Sequence, residues 1–364
     1  MFEVFTIFAG IISFFTIVFN FQEKSKKNIF WIFLFLLIFF DGLRWETGTD
    51  WNSHLYAFNT ILDSKPLSME VGFTFYMWCV RSLTDNYSIF LLLTSSIFYI
   101  GIFYQIFKKS GYSFISIFYL TGTLTWYSGS MRQMIAIVFF IKALEFVEKK
   151  NHFKFFIAIF SGALFHSSVL PFAFIFWLYG APFFLLICLF VGMIMFSLII
   201  SLMISEIDIV LNAFNPGASM SNRIGGTLED SSPILGFPRK ILTILITYFL
   251  KTKLLFKNRP RIFKFNIIIN FYFNLTLFSL IFYLIGTYFV NYVSSRLDIY
   301  TGIICMSILL GFMELNAPNK KFKLILFSFV LFLLIIFYSR LTMGDLFYPY
   351  KSIFYNTDFS RELY

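Results

Sequence analysis

The sequence predicts an all-α integral membrane protein, and three observations carry that expectation. Apolar residues fill 59% of the 364 positions and charged ones 13%, with a mean hydropathy of +0.78, which leaves too little polar surface for a water-soluble domain. The apolar residues fall in runs close to the roughly 20 residues that cross a bilayer. The short linkers between runs carry Lys24, Lys26 and Lys27, then Lys108 and Lys109, then Lys149, Lys150 and Lys154, then Lys251, Lys253 and Lys257, then Lys320, Lys321 and Lys323. By the positive-inside rule these linkers share the cytoplasmic side.

The expected spans are 4–21, 28–43, 86–107, 112–127, 132–148, 153–167, 169–180, 182–204, 239–256, 265–290, 297–314 and 321–339. With lysine inside, both termini lie outside and the positive-inside rule counts about twelve crossings of one polytopic domain, residues 1–364. The first segment has lysines after it rather than before it and no small-residue cleavage site, so it is expected to be a retained helix. Between 153 and 204, charge parity requires three short crossings in spite of His166, Pro171, Gly180 and Pro182. Between Arg44 and Lys108 parity permits one crossing, so the ten-residue run Val71–Val80, too short to span, is expected to be re-entrant or interfacial.

Residues 44–83 form an external segment in this reading. Thr49-Asp50 opens an amphipathic helix there, with Leu55, Phe58 and Leu62 on one face. Residues 205–238, with Pro216, Gly217, Gly225, Gly226 and Pro233 around Arg223, read as an external loop or lid, and 340–364 as an external tail. Cys79, Cys188 and Cys305 lie far apart, which gives neither a disulfide framework nor a thiolate metal site. The net charge of +10 is a lysine girdle facing anionic lipid, and nucleic acid is not an expected partner.

Lysine marks one side and arginine the other. Of ten arginines only Arg259 and Arg261 join the lysine linkers, while Arg44, Arg132, Arg223, Arg239, Arg296 and Arg340 fall at or near the opposite helix ends. Guanidinium held against the topological gradient points to an anionic ligand on the outer side. Arg132, Arg239 and Arg296 each open an inward-running helix, where free N–H groups and the dipole favour phosphate. The alternative for each is an arginine snorkelling to lipid headgroups. Arg44 and Arg340 follow outward-running helices, where a cation already suits the dipole.

Other polar residues gather near the same side. Asp50 and His54 are spaced i, i+4, so carboxylate and imidazole are expected to meet on one helix face, or else to serve as a cap and an interfacial histidine. Glu70 precedes the Val71–Val80 run, where a carboxylate suits a helix N-terminus. His166, at the outer end of a crossing, is a functional candidate because imidazole within a membrane segment is costly. Arg296 and Tyr300 are also spaced i, i+4, and Asp298 points to another face. There is no Walker A loop, GxGxxG, GxSxG or HExxH, and three scattered histidines and no DxD-like pair make no metal site.

Taken in order, Gly42-Leu43-Arg44-Trp45-Glu46-Thr47-Gly48-Thr49-Asp50, Glu70-Val71-Gly72-Phe73, Met131-Arg132-Gln133-Met134-Ile135-Ala136, Phe165-His166-Ser167-Ser168 and Ser295-Arg296-Leu297-Asp298-Ile299-Tyr300 form a recognisable series over roughly residues 1 to 310. The series resembles the EpsG/Wzy-type polysaccharide polymerases of bacterial envelopes. His54 stands where that pattern has an aromatic residue. The resemblance implies a GT-C-like glycosyltransferase of the bacterial inner membrane, acting on its periplasmic or outer face. It implies donor and acceptor oligosaccharides carried on undecaprenyl diphosphate, with no nucleotide sugar, metal or other cofactor. A membrane protein that regulates chain length is a further implied partner.

A sugar on diphosphate has a good leaving group once preorganised cations stabilise its charge, and an arginine fork can hold the diphosphate in place of a metal. On the resemblance, Arg132, Arg239 and Arg296 bind the leaving diphosphate, Arg44 one of the two carriers, and Asp50, Glu70 or His166 is the base. His166 and Asp50 rank ahead of Glu70 because they are expected nearer the membrane surface. Arg223 belongs to a lid over the sugars, and Tyr300 lines the site beside Arg296. Trp45, Trp51, Trp126 and Tyr127 stack on sugars or form an interfacial belt. A ligase using the same donor, and a flippase or transporter of lipid-linked sugar, are the alternatives. Transport needs access from both sides, whereas these arginines cluster toward one.

Overall fold

The computed structural model describes residues 2–47, 50–63, 69–179, 233–257, 263–288 and 296–338, which are helical with no strand among them. The helices are α1 (Phe2–Phe19), α2 (Glu23–Gly42), α3 (Trp51–Thr60), α4 (Val71–Arg81), α5 (Tyr87–Lys109), α6 (Phe114–Leu124), α7 (Met131–Glu148), α8 (His152–Ala163), α9 (Pro233–Lys257), α10 (Phe263–Tyr288), α11 (Arg296–Leu315) and α12 (Lys320–Tyr338). A 3₁₀ stretch, Ser167–Phe174, and one turn of α-helix, Ile175–Leu178, follow α8. Among the described residues α5, α11 and α12 are long and apolar enough to cross a membrane. The expected span 182–204, residues 205–232 of the expected loop 205–238 and the tail 340–364 lie outside the described residues, and residues 233–238 of that loop are the start of α9.

Two compact units divide the chain, residues 1–173 with 307–364 and residues 174–306. In the first unit α6 is buried at every position, which is why its sequence, FISIFYLTGTL, is apolar or small all round rather than amphipathic. It packs against α1 and α12, with Phe118 stacked on Phe327 at 5.4 Å. On another side α2 packs along α5, where Phe30 and Phe107 stack at 4.0 Å. The hairpin of α7 and α8 completes the unit, and α5 packs on α7. The outward faces keep large apolar side chains exposed, among them Ile7, Ile11, Ile32, Phe35, Phe153, Phe160 and Ile335, as expected where lipid replaces water.

The lysine linkers of this unit converge on one end. Lys27 lies 4.3 Å above the Tyr112 ring, Lys109 pairs with Glu148 at 2.8 Å, and Lys320 donates to the Val18 carbonyl at 3.0 Å. Glu314 accepts from the Ser113 hydroxyl and from the Ile115 N–H at 3.2 Å, filling the N-terminus of α6 with a carboxylate that its dipole favours. At the other end Thr6 meets the Tyr338 hydroxyl at 2.8 Å, Trp126 donates to the same hydroxyl at 3.3 Å, and Arg44 donates to the Ser128 carbonyl at 3.2 Å. Helices α1, α2, α5, α6, α7 and α12 therefore each join the lysine end to the arginine end, in the alternation that the linkers predicted.

In the second unit α9 and α10 run antiparallel, joined through Lys240 and Ser279 at 2.7 Å and through Lys251 and Asn270 at 3.2 Å. Lys251, expected in a linker, is a buried residue of α9, with its ammonium 4.0 Å from the Phe273 ring. Aromatic faces and an amide oxygen there supply what water otherwise gives an ammonium group. A π-helical turn, Ile299–Cys305, follows the start of α11; such turns are frequent at functional sites.

Glu314→Gln is expected to destabilise the first unit by about 1–3 kcal/mol, because it weakens a charged acceptor for two buried donors. Thermal unfolding in detergent checks this, and an unchanged midpoint would show that the carboxylate is dispensable for α6.

Candidate functional site

The arginine end of the first unit is built from where α2 stops. Its last turn carries Asp41 inside an otherwise apolar run, and the chain then curls so that the Arg44 N–H reaches the Asp41 carbonyl at 3.3 Å. The two side chains pair at 2.7 Å with exposures of 1% and 0%. Asp41 also accepts from the Ser95 hydroxyl of α5 at 2.7 Å, and Arg44 reaches the Ser128 carbonyl beyond α6. The pair therefore pins three helices. Arg44, expected on a substrate carrier, has its guanidinium committed inside the fold, because an arginine buried this deeply needs a carboxylate beside it.

Arg132 is placed differently. It sits in the first turn of α7, and its Nη1 lies 2.7 Å from Oε2 of Glu70, each side chain being 23% exposed. Glu70 occupies the N-cap position of α4 without capping it through its side chain, so its carboxylate is turned toward Arg132. Gly72 fixes that placement: its N–H donates to the Leu164 carbonyl at 2.8 Å, and a Cβ there would stand 2.8 Å from the same oxygen. Glycine alone allows the start of α4 to touch the chain just beyond α8. The Glu70-Val71-Gly72 motif thus supplies both the carboxylate and the close approach that positions it.

His54 lies at the back of this cluster. It is fully buried on α3, its ring centroid 5.4 Å from that of Phe73, and neither ring nitrogen has a hydrogen-bond partner. Burial, with the fields of Arg132 and Arg44 adding to it, pushes its pKa down to about 3. Asp50, at the N-cap of α3, makes no side-chain cap and meets His54 only through its carbonyl, which accepts the His54 N–H at 3.0 Å. The expected contact of carboxylate and imidazole does not form, because His54 turns inward with Trp51, Ala57 and Phe58. That face replaces the predicted one: Phe58 is buried, while Leu55 is half-buried and Leu62 exposed. Thr49 lies outside the described residues. Nε1 of Trp45 and of Trp51, the Tyr87 hydroxyl, Nε of Arg44 and Oδ1 of Asp41 are also buried without hydrogen-bond partners.

His166 follows α8 in a turn, 6% exposed. Its Nδ1 accepts the Ser168 N–H at 3.2 Å and lies 2.8 Å from the Ser168 hydroxyl. An Nδ1 that accepts a backbone N–H leaves the proton of a neutral ring on Nε2. In that tautomer Nδ1 is engaged by Ser168 and Nε2 carries the proton.

The second unit holds its own ion pair. Lys240 lies 2.6 Å from Oδ2 of Asp298 and donates to the Ser279 hydroxyl, with side-chain exposures of 25% and 29% for the pair. Gly302 leaves space for this carboxylate, since a Cβ there would come within 2.3 Å of Oδ1, an oxygen that is itself buried and unpartnered. Arg296 is half-buried and Tyr300 fully buried. Arg239 is a residue of α9 whose side chain lies outside the described residues, as do Arg223 and Arg340. Sequence reasoning missed Asp41, Lys240 and Ser279 and set Asp298 aside. Asp41 was legible as an acid in an apolar run, three residues before an arginine; the other partners come from distant helices. Among the described residues no three or more His, Cys, Asp or Glu side chains gather as a metal site requires.

Among the described residues, three helices long and apolar enough to cross a membrane, with large apolar side chains left exposed, fit a helical membrane protein. The model of the EpsG family matches residues 27–352, and the chain belongs to that family. Membership marks it as a membrane protein of the polysaccharide polymerase type. No curated protein and no solved structure matches the chain.

The contrast between the pairs has a measurable consequence. Asp41→Ala is expected to destabilise the protein by about 3–5 kcal/mol, since it strands a buried guanidinium, whereas Arg132→Ala leaves the melting temperature within a few degrees of the wild type. Differential scanning fluorimetry in detergent compares the two.

His54 gives a pH dependence. Its folded pKa of about 3 lies below the ordinary 6.5, so the unfolded chain binds the extra proton and stability falls as pH drops from 6.5 toward 3, by on the order of 4 kcal/mol. His54→Leu should flatten that part of the stability profile, and chemical denaturation at several pH values reads it.

Proposed function

We propose that this protein is a polysaccharide polymerase, a glycosyltransferase that joins oligosaccharide repeat units carried on undecaprenyl diphosphate. The observation that carries the reading is the Arg132–Glu70 pair, an arginine and a carboxylate 2.7 Å apart and each partly exposed, on a chain of the EpsG family. Arginine suits the leaving group: as the bond from the anomeric carbon to the diphosphate oxygen breaks, the electron pair moves to the diphosphate, and a fixed guanidinium stabilises it. A carboxylate alongside suits the other half of the reaction, accepting the proton of the acceptor hydroxyl.

In this reading Arg132 is the principal diphosphate ligand; Arg239 and Arg296, of the second unit, are the further candidate ligands that the family resemblance implies. Arg44 has a positioning role through Asp41 and Ser128 rather than direct contact. Glu70 stands ahead of Asp50 and His166 as the base, because it is beside the cation, while the Asp50 carboxylate does not meet the His54 ring and Nδ1 of His166 is taken up by Ser168. Arginine does the work that a metal does in nucleotide-sugar enzymes, so no cofactor is required. The arginine end faces the outside of the bacterial inner membrane, with the lysine end in the cytoplasm. Arg223 and the loop 205–238 close over the sugars, Tyr300 supports Arg296, and a membrane protein that sets chain length is the expected partner.

Arg132→Ala in cells that make the polysaccharide is expected to leave single repeat units on the final acceptor, from a loss of about a hundredfold or more in polymerisation. Gel analysis of glycan length reads the result. Loss of even the single units would indicate ligation or export instead, and unchanged chain length would remove Arg132 from the reaction.

A further inference from the structure

We propose that Glu70 and Arg132 form a latch: the donor's diphosphate displaces the carboxylate from the guanidinium, so the base is released only after the donor is seated. This rests on the reading that Arg132 binds the donor diphosphate.

Three observations support it. The pair is a single contact between Nη1 and Oε2 at 2.7 Å rather than a two-pronged one, so a diphosphate, with more charge and oxygens that match the guanidinium fork, is the stronger partner. Both side chains are 23% exposed, against 1% and 0% for Arg44 and Asp41, so a ligand can reach the first pair and not the second. The displaced carboxylate also has somewhere to rest. Glu70 is the N-cap residue of an eleven-residue helix whose first turn no side chain from that position caps, and the helix dipole stabilises a negative charge there. The Gly72 and Leu164 contact holds the backbone of this turn while the side chain changes partner.

The latch orders the reaction. While paired with Arg132, Oε2 of the carboxylate is occupied by the guanidinium and does not meet an acceptor hydroxyl. Once diphosphate occupies Arg132, Glu70 takes the proton of the acceptor hydroxyl as that oxygen bonds to the anomeric carbon. The bond to diphosphate breaks, the diphosphate keeps the electron pair, and Glu70 later releases the proton to water. The site therefore does not activate water or acceptor before a donor is present.

The test measures binding of inorganic pyrophosphate to the full-length chain in phosphatidylcholine nanodiscs, by calorimetry. Removing the competing charge in Glu70→Gln should tighten binding by several-fold to about tenfold. Glu70→Asp, which keeps the charge but shortens its reach, should tighten it less. Arg132→Gln should weaken it by about tenfold or more. Unchanged or weaker binding in both Glu70 variants, with Arg132→Gln still impaired, would overturn the latch and leave Arg132 as a diphosphate ligand. Wild-type affinity in Arg132→Gln would instead remove the reading on which the latch stands. If Glu70→Gln fails to fold, the direction of the Glu70→Asp change decides.

Discussion

The buried ion pair of Asp41 and Arg44 is the constraint around which the arginine end of the first unit is organised. An isolated charge at that depth would be strongly unfavourable, so the guanidinium is tolerable only with a carboxylate 2.7 Å away and carbonyl oxygens around it. Meeting that requirement joins the end of α2 to α5 through Ser95 and to the turn after α6 through Ser128. A rigid frame follows, and on it the Arg132–Glu70 pair stands at the edge rather than in the middle.

Depth separates the roles of these cations. Two pairs, Arg132 with Glu70 and Lys240 with Asp298, are about a quarter exposed on each side chain. Each charge is neutralised by its partner, and part of each side chain stays accessible. Each belongs to a different unit and is set by a glycine that permits close approach, Gly72 in one and Gly302 in the other. The proposed diphosphate leaving group would need cations fixed before its charge develops. The neutral, buried His54 contributes to the same balance. Burial first, and the fields of Arg132 and Arg44 after it, disfavour a positive charge on the ring, so the imidazole adds no further cation to this end.

Much of the frame was legible from the residues. Lysines in short linkers named the helix ends that meet, and the contacts of Lys27, Lys109 and Lys320 place those ends together. The ten-residue run Val71–Val80 appears as α4, and the helix expected from Asp50 appears as α3. The face of α3 was misjudged because counting aliphatic positions passed over Trp51 and His54, whose burial depends on what α4 and α5 bring against them. Lys251 was counted with a linker because its charge outweighed its helical neighbours, while the fold supplies it with Asn270 and an aromatic face.

By itself the sequence determined the solvent, the alternation of the first unit's helices and the placing of Arg44 and Arg132 at the end away from the lysines, because hydropathy and the lysine bias act on each segment locally. Only the tertiary structure decided which arginine is a strut and which is open to a ligand. Arg44 and Arg132 look alike as residues flanking apolar runs, yet one finds its carboxylate three positions back in its own chain turn and the other finds it 62 positions away on α4. Partner and depth are properties of packing between distant segments, and the free energy of a charge in a membrane protein depends on both.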